Sequence, residues 1–151
     1  HSIFVNLDIK LFKMIETIPV STIMSKSIIA LTREDDLECA EKLFKRHNIR
    51  HIPVVSRENV IGMLSYSDLL RISFSEVSDD EHHIDSVVYN MFTIEQVMAK
   101  NITSISSNTT IKEASELLAK REFHALPVVD DGLLIGIVTT TDLLNYFVSQ
   151  Y

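Results

Sequence analysis

Hydrophobic positions along this chain follow two spacings that alternate in a fixed order. Between Glu34 and His47, the residues Leu37, Ala40 and Leu43-Phe44 recur every three to four positions. That spacing predicts a helix with one buried stripe, capped by Thr32 or by the acidic pair that follows it. Short apolar runs flank it: Ile28–Leu31 before, then "IRHIPVV" and Val60–Leu64 after. These predict strands, the last two joined as a hairpin through the polar stretch Ser56–Asn59. Pro53 has no N–H for a sheet ladder, so it belongs at an edge or a bulge. A short helix is expected from about Ser67 to Ser73.

The same order then returns. Ile18–Phe74 aligns without a gap on Phe92–Val148, at an offset of 74 residues. Met24 meets Met98, Lys26 meets Lys100, and Ala40 and Leu43 meet Ala114 and Leu117. Pro53-Val54-Val55 meets Pro127-Val128-Val129, Ile61-Gly62 meets Ile135-Gly136, and Asp68-Leu69-Leu70 meets Asp142-Leu143-Leu144. The second copy predicts a strand at Ile102–Ile105, caps within Ser107–Thr110 and a helix over Ile111–Arg121. The strand "HALPVV", a hairpin turn at Asp130-Asp131-Gly132, a strand at Leu133–Val138 and a helix over Thr141–Phe147 complete it.

The fold class expected is therefore α/β: two pseudo-symmetric β-α-β-β-α repeats packed sheet to sheet as one compact body. A single repeat of about 57 residues has a thin core, and a second copy covers it. The expected organisation is a leading segment 1–17, a first repeat 18–74, a connector 75–91 and a second repeat 92–151. Asn6–Ile15 has helical apolar spacing, and a short helix is expected near Ile84–Asn90.

Composition narrows the classes of function. Of 151 residues, 46% are hydrophobic and 23% charged, which favours a packed core over disorder. The formal charge of -7 opposes broad binding to nucleic acid, although a local basic pocket can still hold a small anion. The single cysteine, Cys39, cannot close an internal disulfide; it reads as a buried thiol, in keeping with a cytoplasmic protein. No apolar run is long enough to span a membrane. The start "HSIF" reads as a tag remnant or a cut from a longer chain.

Catalytic motifs are missing. Three glycines make no phosphate-binding loop, and there is no HExxH or GxSxG. An enzyme is not expected. His82 and His83 with Glu81 and Asp85 form a weak metal motif, the basis of a weaker alternative as a divalent-metal sensor, in an acidic stretch that reads more readily as a solvated loop.

The repeated polar positions carry more chemistry. Gly62-x-x-Ser65-x-x-Asp68 and Gly136-x-x-Thr139-x-x-Asp142 stand where a strand ends and a helix begins. One reading is helix capping, by the hydroxyl and by an acid in the first turn. The other uses the same geometry: the carboxylate accepts both hydroxyls of a ribose, while the hydroxyl and helix N–H groups hold a phosphate. Arg50 and His124, three residues before the repeated prolines, are the candidate phosphate cations, with His124 dependent on pH. Ile49 and Phe123 either flank a flat base or pack into the core. Lys26 and Lys100 are a matched basic pair that lines the cleft or simply faces solvent.

Met, Pro-Val-Val and Gly-x-x-Ser/Thr-x-x-Asp-Leu, twice at fixed spacing, make the chain resemble a tandem pair of CBS domains, the module first noted in cystathionine β-synthase. The resemblance spans "VSTIMSK" to "VIGMLSYSDLL" and "IEQVMAK" to "IGIVTTTDLL". It implies a non-catalytic regulatory module, a flat pseudo-twofold body that often dimerises. It also implies an adenosine ligand (AMP, ADP, ATP or S-adenosylmethionine) in clefts between repeats, with no cofactor required. On that resemblance Asp142 and Asp68 hold ribose hydroxyls, and Thr139 and Ser65 contact ribose or phosphate. Arg50 and His124 face phosphate, and Ile49 and Phe123 line the base pocket. It further implies an attached or associated protein that the module regulates. A ligand-free pairing module is the alternative within the same family.

Overall fold

The computed structural model describes residues 15–75, 89–120 and 123–151. They compact into two units. One joins the described residues up to Ile28 to those from Thr103 onward, and the other runs from Ile29 to Ile102.

In the second of these units, α1 (Leu37–His47) is followed by β1 (His51–Ser56), β2 (Asn59–Ser65) and α2 (Tyr66–Ser75), with the short α3 (Ile94–Val97) closing it. The helix α1 begins three residues later than its apolar spacing suggests. Asp36 is its cap and accepts from the Cys39 N–H at 2.7 Å, while Thr32 N–H is engaged by Asp35 in a separate turn. Its other end stops at Asn48, whose left-handed φ of 50° lets the chain turn into Ile49 and Arg50. Leu37, Ala40 and Phe44 are buried together with Ile52, Val54, Leu64, Leu69 and Ile94; Leu43 is only partly covered.

The other unit repeats the order with α4 (Ile111–Lys120), β3 (Ala125–Asp130), β4 (Leu133–Thr139) and α5 (Thr140–Ser149). Thr110 and Glu113 cap α4 reciprocally. Ile111, Ala114, Leu118, Leu126, Val128, Val138 and Leu143 form its core, to which Val20 from the start of the chain contributes. Both hairpins are antiparallel with the same defect. Val54 pairs with Gly62 but Val55 with Val60, and Val128 pairs with Gly136 but Val129 with Leu134. Ile61 and Ile135 are thus the extra residues of a β-bulge. The two-residue turn Asp131-Gly132 has φ of 51° and 80°, as a tight hairpin requires.

Pro53 sits next to the bulge. Its carbonyl accepts from Leu31 N–H at 3.0 Å, so its missing N–H faces the side where the neighbouring strand is a single residue long. This also corrects the sequence reading: the expected strands Ile28–Leu31 and Ile102–Ile105 contract to parallel bridges at Leu31 and Ile105. The opposite edge of each hairpin is filled from an unexpected place. Ala99 pairs antiparallel with Met63, and Ser25 with Ile137. Residues 18–28, which begin the first sequence repeat, therefore pack on the hairpin of the second, and residues 92–102 pack on the hairpin of the first.

Of the expected leading helix, Ile15–Thr17 are helical and Ile15 packs on the adjacent core; Asn6–Met14 lie outside the described residues. Tyr89–Met91 are helical, while residues 84–88 of the expected connector helix lie outside them.

Candidate functional site

The polar pairs singled out by the repeat stand at equivalent ends of the two hairpins. In the unit built on β3 and β4, Thr139 ends β4 and caps α5. The Asp142 N–H donates to Thr139 Oγ1 at 3.2 Å, and the Thr139 N–H donates to Asp142 Oδ2 at 2.8 Å. In the unit built on β1 and β2, the Asp68 N–H donates to Ser65 Oγ at 3.1 Å and the Ser65 N–H to Asp68 Oδ2 at 3.2 Å. The capping reading is therefore correct for both, and each cap engages one oxygen of its carboxylate. The other oxygen, Oδ1, lies outside the cap.

The residues before each first strand arrive at the same place through the backbone. The carbonyl of Arg50 accepts from Tyr66 N–H at 2.8 Å, and that of His124 accepts from Thr140 N–H at 2.9 Å and from Thr140 Oγ1 at 3.3 Å. A helix leaves its first N–H groups without internal partners, and here the first is met by that carbonyl and the third by the capping hydroxyl. Register does the rest: His51 lies opposite Ser65, and Ala125 opposite Thr139. Arg50, Ser65 and Asp68 thus gather at one sheet end, and His124, Thr139 and Asp142 at its counterpart. Arg50 and His124 are exposed, while the two Asp–hydroxyl pairs are half-buried. A basic side chain, a hydroxyl, a carboxylate oxygen and a helix N-terminus in one place suit a polar ligand with both hydroxyl donors and an anionic group.

Other candidates fall differently. Ile49 and Phe123 pack against the two cores while keeping part of their surface exposed, so core packing accounts for much of each. Lys26 and Lys100 are exposed, each following the residue that bridges to a hairpin edge. Glu81, His82, His83 and Asp85 lie outside the described residues, among which no cluster of three or more metal-ligating side chains occurs. Burial, then Asp35 and Asp36, push the Cys39 thiol above its ordinary pKa, which makes it a poor nucleophile. No helix among the described residues is long and apolar enough to cross a membrane.

One residue beside the site went unnoticed in the sequence. Arg71 lies one turn after Asp68 on α2, with Nη1 3.6 Å from Asp68 Oδ1. The spacing of three residues on a helix was the available signal. At the equivalent position α5 carries Asn145.

The CBS-domain family model matches residues 20–75 and again 94–149, which includes both Asp–hydroxyl pairs. The chain belongs to the CBS domain family, as a tandem pair. Among curated relatives, the CBS pair is 26% identical over 138 residues to the protein MJ1225 of Methanocaldococcus jannaschii, covering 89% of this chain and 49% of that one. It is 27% identical over 124 residues to the CBS domain-containing protein YhcV of Bacillus subtilis, covering 82% and 81%. It is 29% identical over 126 residues to the inosine-5'-monophosphate dehydrogenase of Thermoplasma acidophilum, where 82% of this pair matches only 22% of the enzyme. This pair thus spans about half of the first relative and about a fifth of the dehydrogenase.

Solved structures agree on the fold. The CBS domain of a membrane protein from Sphaerobacter thermophilus has a TM-score of 0.80 at 21% identity, covering 96% of this pair and 97% of that chain. The CBS domain pair of the protein MJ0100, in complex with 5'-methylthioadenosine and S-adenosyl-L-methionine, has a TM-score of 0.73 at 24% identity, covering 88% and 98%. CBSX2 in complex with AMP has a TM-score of 0.71 at 21% identity, covering 87% and 97%.

Proposed function

We propose that this CBS pair is a non-catalytic regulatory module that binds an adenosine-containing ligand: AMP, ADP, ATP or S-adenosylmethionine. The observation that carries the reading is the reciprocal cap of Thr139 and Asp142. It fixes a carboxylate at a helix N-terminus with Oδ2 turned to its own backbone and Oδ1 left over. Ribose hydroxyls donate to such a carboxylate, and a phosphate accepts from the nearby hydroxyl and is favoured by the positive end of the helix dipole. In this reading Asp142 and Thr139 hold the ribose end, with His124 toward phosphate and Phe123 beside the base. Asp68, Ser65, Arg50 and Ile49 are the equivalent set. The ligands named for MJ0100 and CBSX2 share an adenosine, which supports a common recognition of ribose and base.

The repeat boundaries 18–74 and 92–151, with the leading segment 1–17 and the connector 75–91, belong to the same proposal. So do a cytoplasmic location, a homodimer, and an attached or associated protein whose activity the ligand controls. Calorimetric titration of AMP, ATP and S-adenosylmethionine tests the central claim. Asp142→Ala and Asp68→Ala are expected to lose affinity while keeping the native circular dichroism. No binding heat from any of the three at millimolar concentration overturns it.

A second reading, a ligand-free pairing module, is favoured by one observation. Leu144 and Val148, four residues apart on α5, are 59% and 72% exposed. It predicts a dimer by light scattering that Leu144→Lys dissociates, with or without nucleotide.

A further inference from the structure

We infer that Arg71 sets the ligand class of the Ser65–Asp68 site, favouring a phosphorylated adenosine over a cationic one, and that the Thr139–Asp142 site lacks this preference. The inference rests on the adenosine-binding reading above and adds which charge each site accepts. Asp68 Oδ1, the oxygen that the helix cap leaves over, is the one facing Arg71 Nη1 at 3.6 Å. A ribose hydroxyl reaching for that oxygen meets the guanidinium first.

The pair is weak and easily opened. The Arg71 side chain is 79% exposed and Asp68 is 21% exposed, and ion pairs of this kind contribute little. An arriving ligand can therefore displace Arg71 from Oδ1, and the chemistry of the ligand decides what the arginine does next. A phosphate offers it acceptors in fork geometry, so the lost pair is replaced by a charge-assisted one. A sulfonium in the same place offers no acceptor and adds repulsion between like charges, and the carboxylate of S-adenosylmethionine lies several bonds beyond it. Arg50 stands at the same sheet end, its carbonyl bonded to the first amide of α2, and reinforces that bias.

The counterpart site is built differently at each of these points. Asn145 stands in the place of Arg71, and α5 contains no lysine or arginine. Among the described residues Asp142 has no ion-pair partner, so its Oδ1 meets a ribose without a competitor. His124 replaces the permanent charge of Arg50, and Ala125 replaces His51. This site is the one suited to a neutral or cationic adenosine compound.

Exchanging the two helix residues tests the inference. In an Asp142→Ala background, which isolates the first site, AMP and S-adenosylmethionine are titrated with and without Arg71→Asn. The substitution is expected to reduce the AMP preference roughly three- to fivefold. Raising the salt concentration is expected to narrow the ratio more steeply when Arg71 is present than in the Arg71→Asn variant, where Arg50 alone remains. In an Asp68→Ala background, Asn145→Arg is expected to shift the second site toward AMP by a similar factor. Should that variant fail to fold, the Arg71→Asn result alone decides. A ratio within twofold of the parent after Arg71→Asn overturns the inference while leaving the adenosine reading intact. Failure of the unsubstituted protein to bind either ligand overturns both.

Discussion

Met98 lies directly over Gly62, so that a β-carbon on the glycine would run into the methionine sulfur. The Ala99 carbonyl would stand 2.9 Å from the same carbon. In the other unit, Met24 covers Gly136 in the same way, with its sulfur 2.7 Å and the Ser25 carbonyl 2.9 Å from a β-carbon there. The repeated glycines are thus places where a leading segment presses onto a hairpin. They are not flexible points of a ligand loop.

Gly62→Ala is accordingly expected to destabilise the protein by about 1–3 kcal/mol, because backbone on one side cannot withdraw. Gly136→Ala is expected to be milder, since Met24 is only partly buried and its tip can swing aside, whereas Met98 is 6% exposed. Urea unfolding of both variants checks the order. Equal stability to the parent in Gly62→Ala would show that the segment is not held there.

Tyr146 contributes a buried hydroxyl with no hydrogen-bond partner among the described residues. Burial raises its pKa, and its ring packs edge-on to Phe147 at 5.7 Å between centroids. Tyr146→Phe keeps the ring contact and removes the unpaired oxygen. The expected result is a gain of about 1 kcal/mol and a higher melting temperature. A clear loss of stability would mean that the hydroxyl has a partner in solution.

Thr139→Ala removes the hydroxyl that meets the Asp142 N–H but leaves the Asp142 carboxylate in place. A loss of about 1 kcal/mol is expected from the cap alone. Thr139→Ser keeps the hydroxyl and should recover most of it. If adenosine binding falls in the alanine variant and returns in the serine variant, the hydroxyl serves both cap and ligand. A parent-like melting curve for Thr139→Ala would argue against the cap in solution.

Asp130 accepts from the Ser107 hydroxyl and from the Ser107 N–H at 3.0 Å, and these bonds hold its carboxyl below the ordinary aspartate value. A carboxylate whose pKa is depressed by folding adds stability that is complete above its unfolded pKa of about 3.9. That stability is lost as pH falls through the lower folded value. Glu41 behaves alike: its burial alone would raise its pKa, but hydrogen bonds from Lys45 and Tyr89 outweigh that and lower it. Acid unfolding should therefore be less steep in Asp130→Asn than in the parent below about pH 4. Identical acid limbs would show that the Ser107 bonds form equally in the unfolded chain.

Much of the candidate site was legible because its bonds are local. Ser65–Asp68 and Thr139–Asp142 are three residues apart, the reach of a helix cap, and the repeat marked both pairs. The three-residue spacing placed Arg71 near Asp68, but which carboxylate oxygen is left over for it was not legible, because which oxygen a cap uses is a matter of side-chain geometry. The strands before α1 and α4 were overestimated for a related reason. Their apolar residues promised ladders, but only Leu31 and Ile105 come within hydrogen-bonding reach of a partner.

Local spacing was enough to place the two hairpins and the helix stripes. The bulges at Ile61 and Ile135, the strand ends and the caps repeat at the 74-residue offset, because turns, caps and apolar periodicity act between near neighbours. Which leading segment completes which hairpin emerges from the folded chain alone. Met24 and Met98 have the same apolar character, and each fits a glycine-backed groove in either repeat as far as composition can say. The choice rests on chain closure and on backbone bonds between residues far apart, Ser25 to Ile137 and Ala99 to Met63, and such bonds leave no spacing to read.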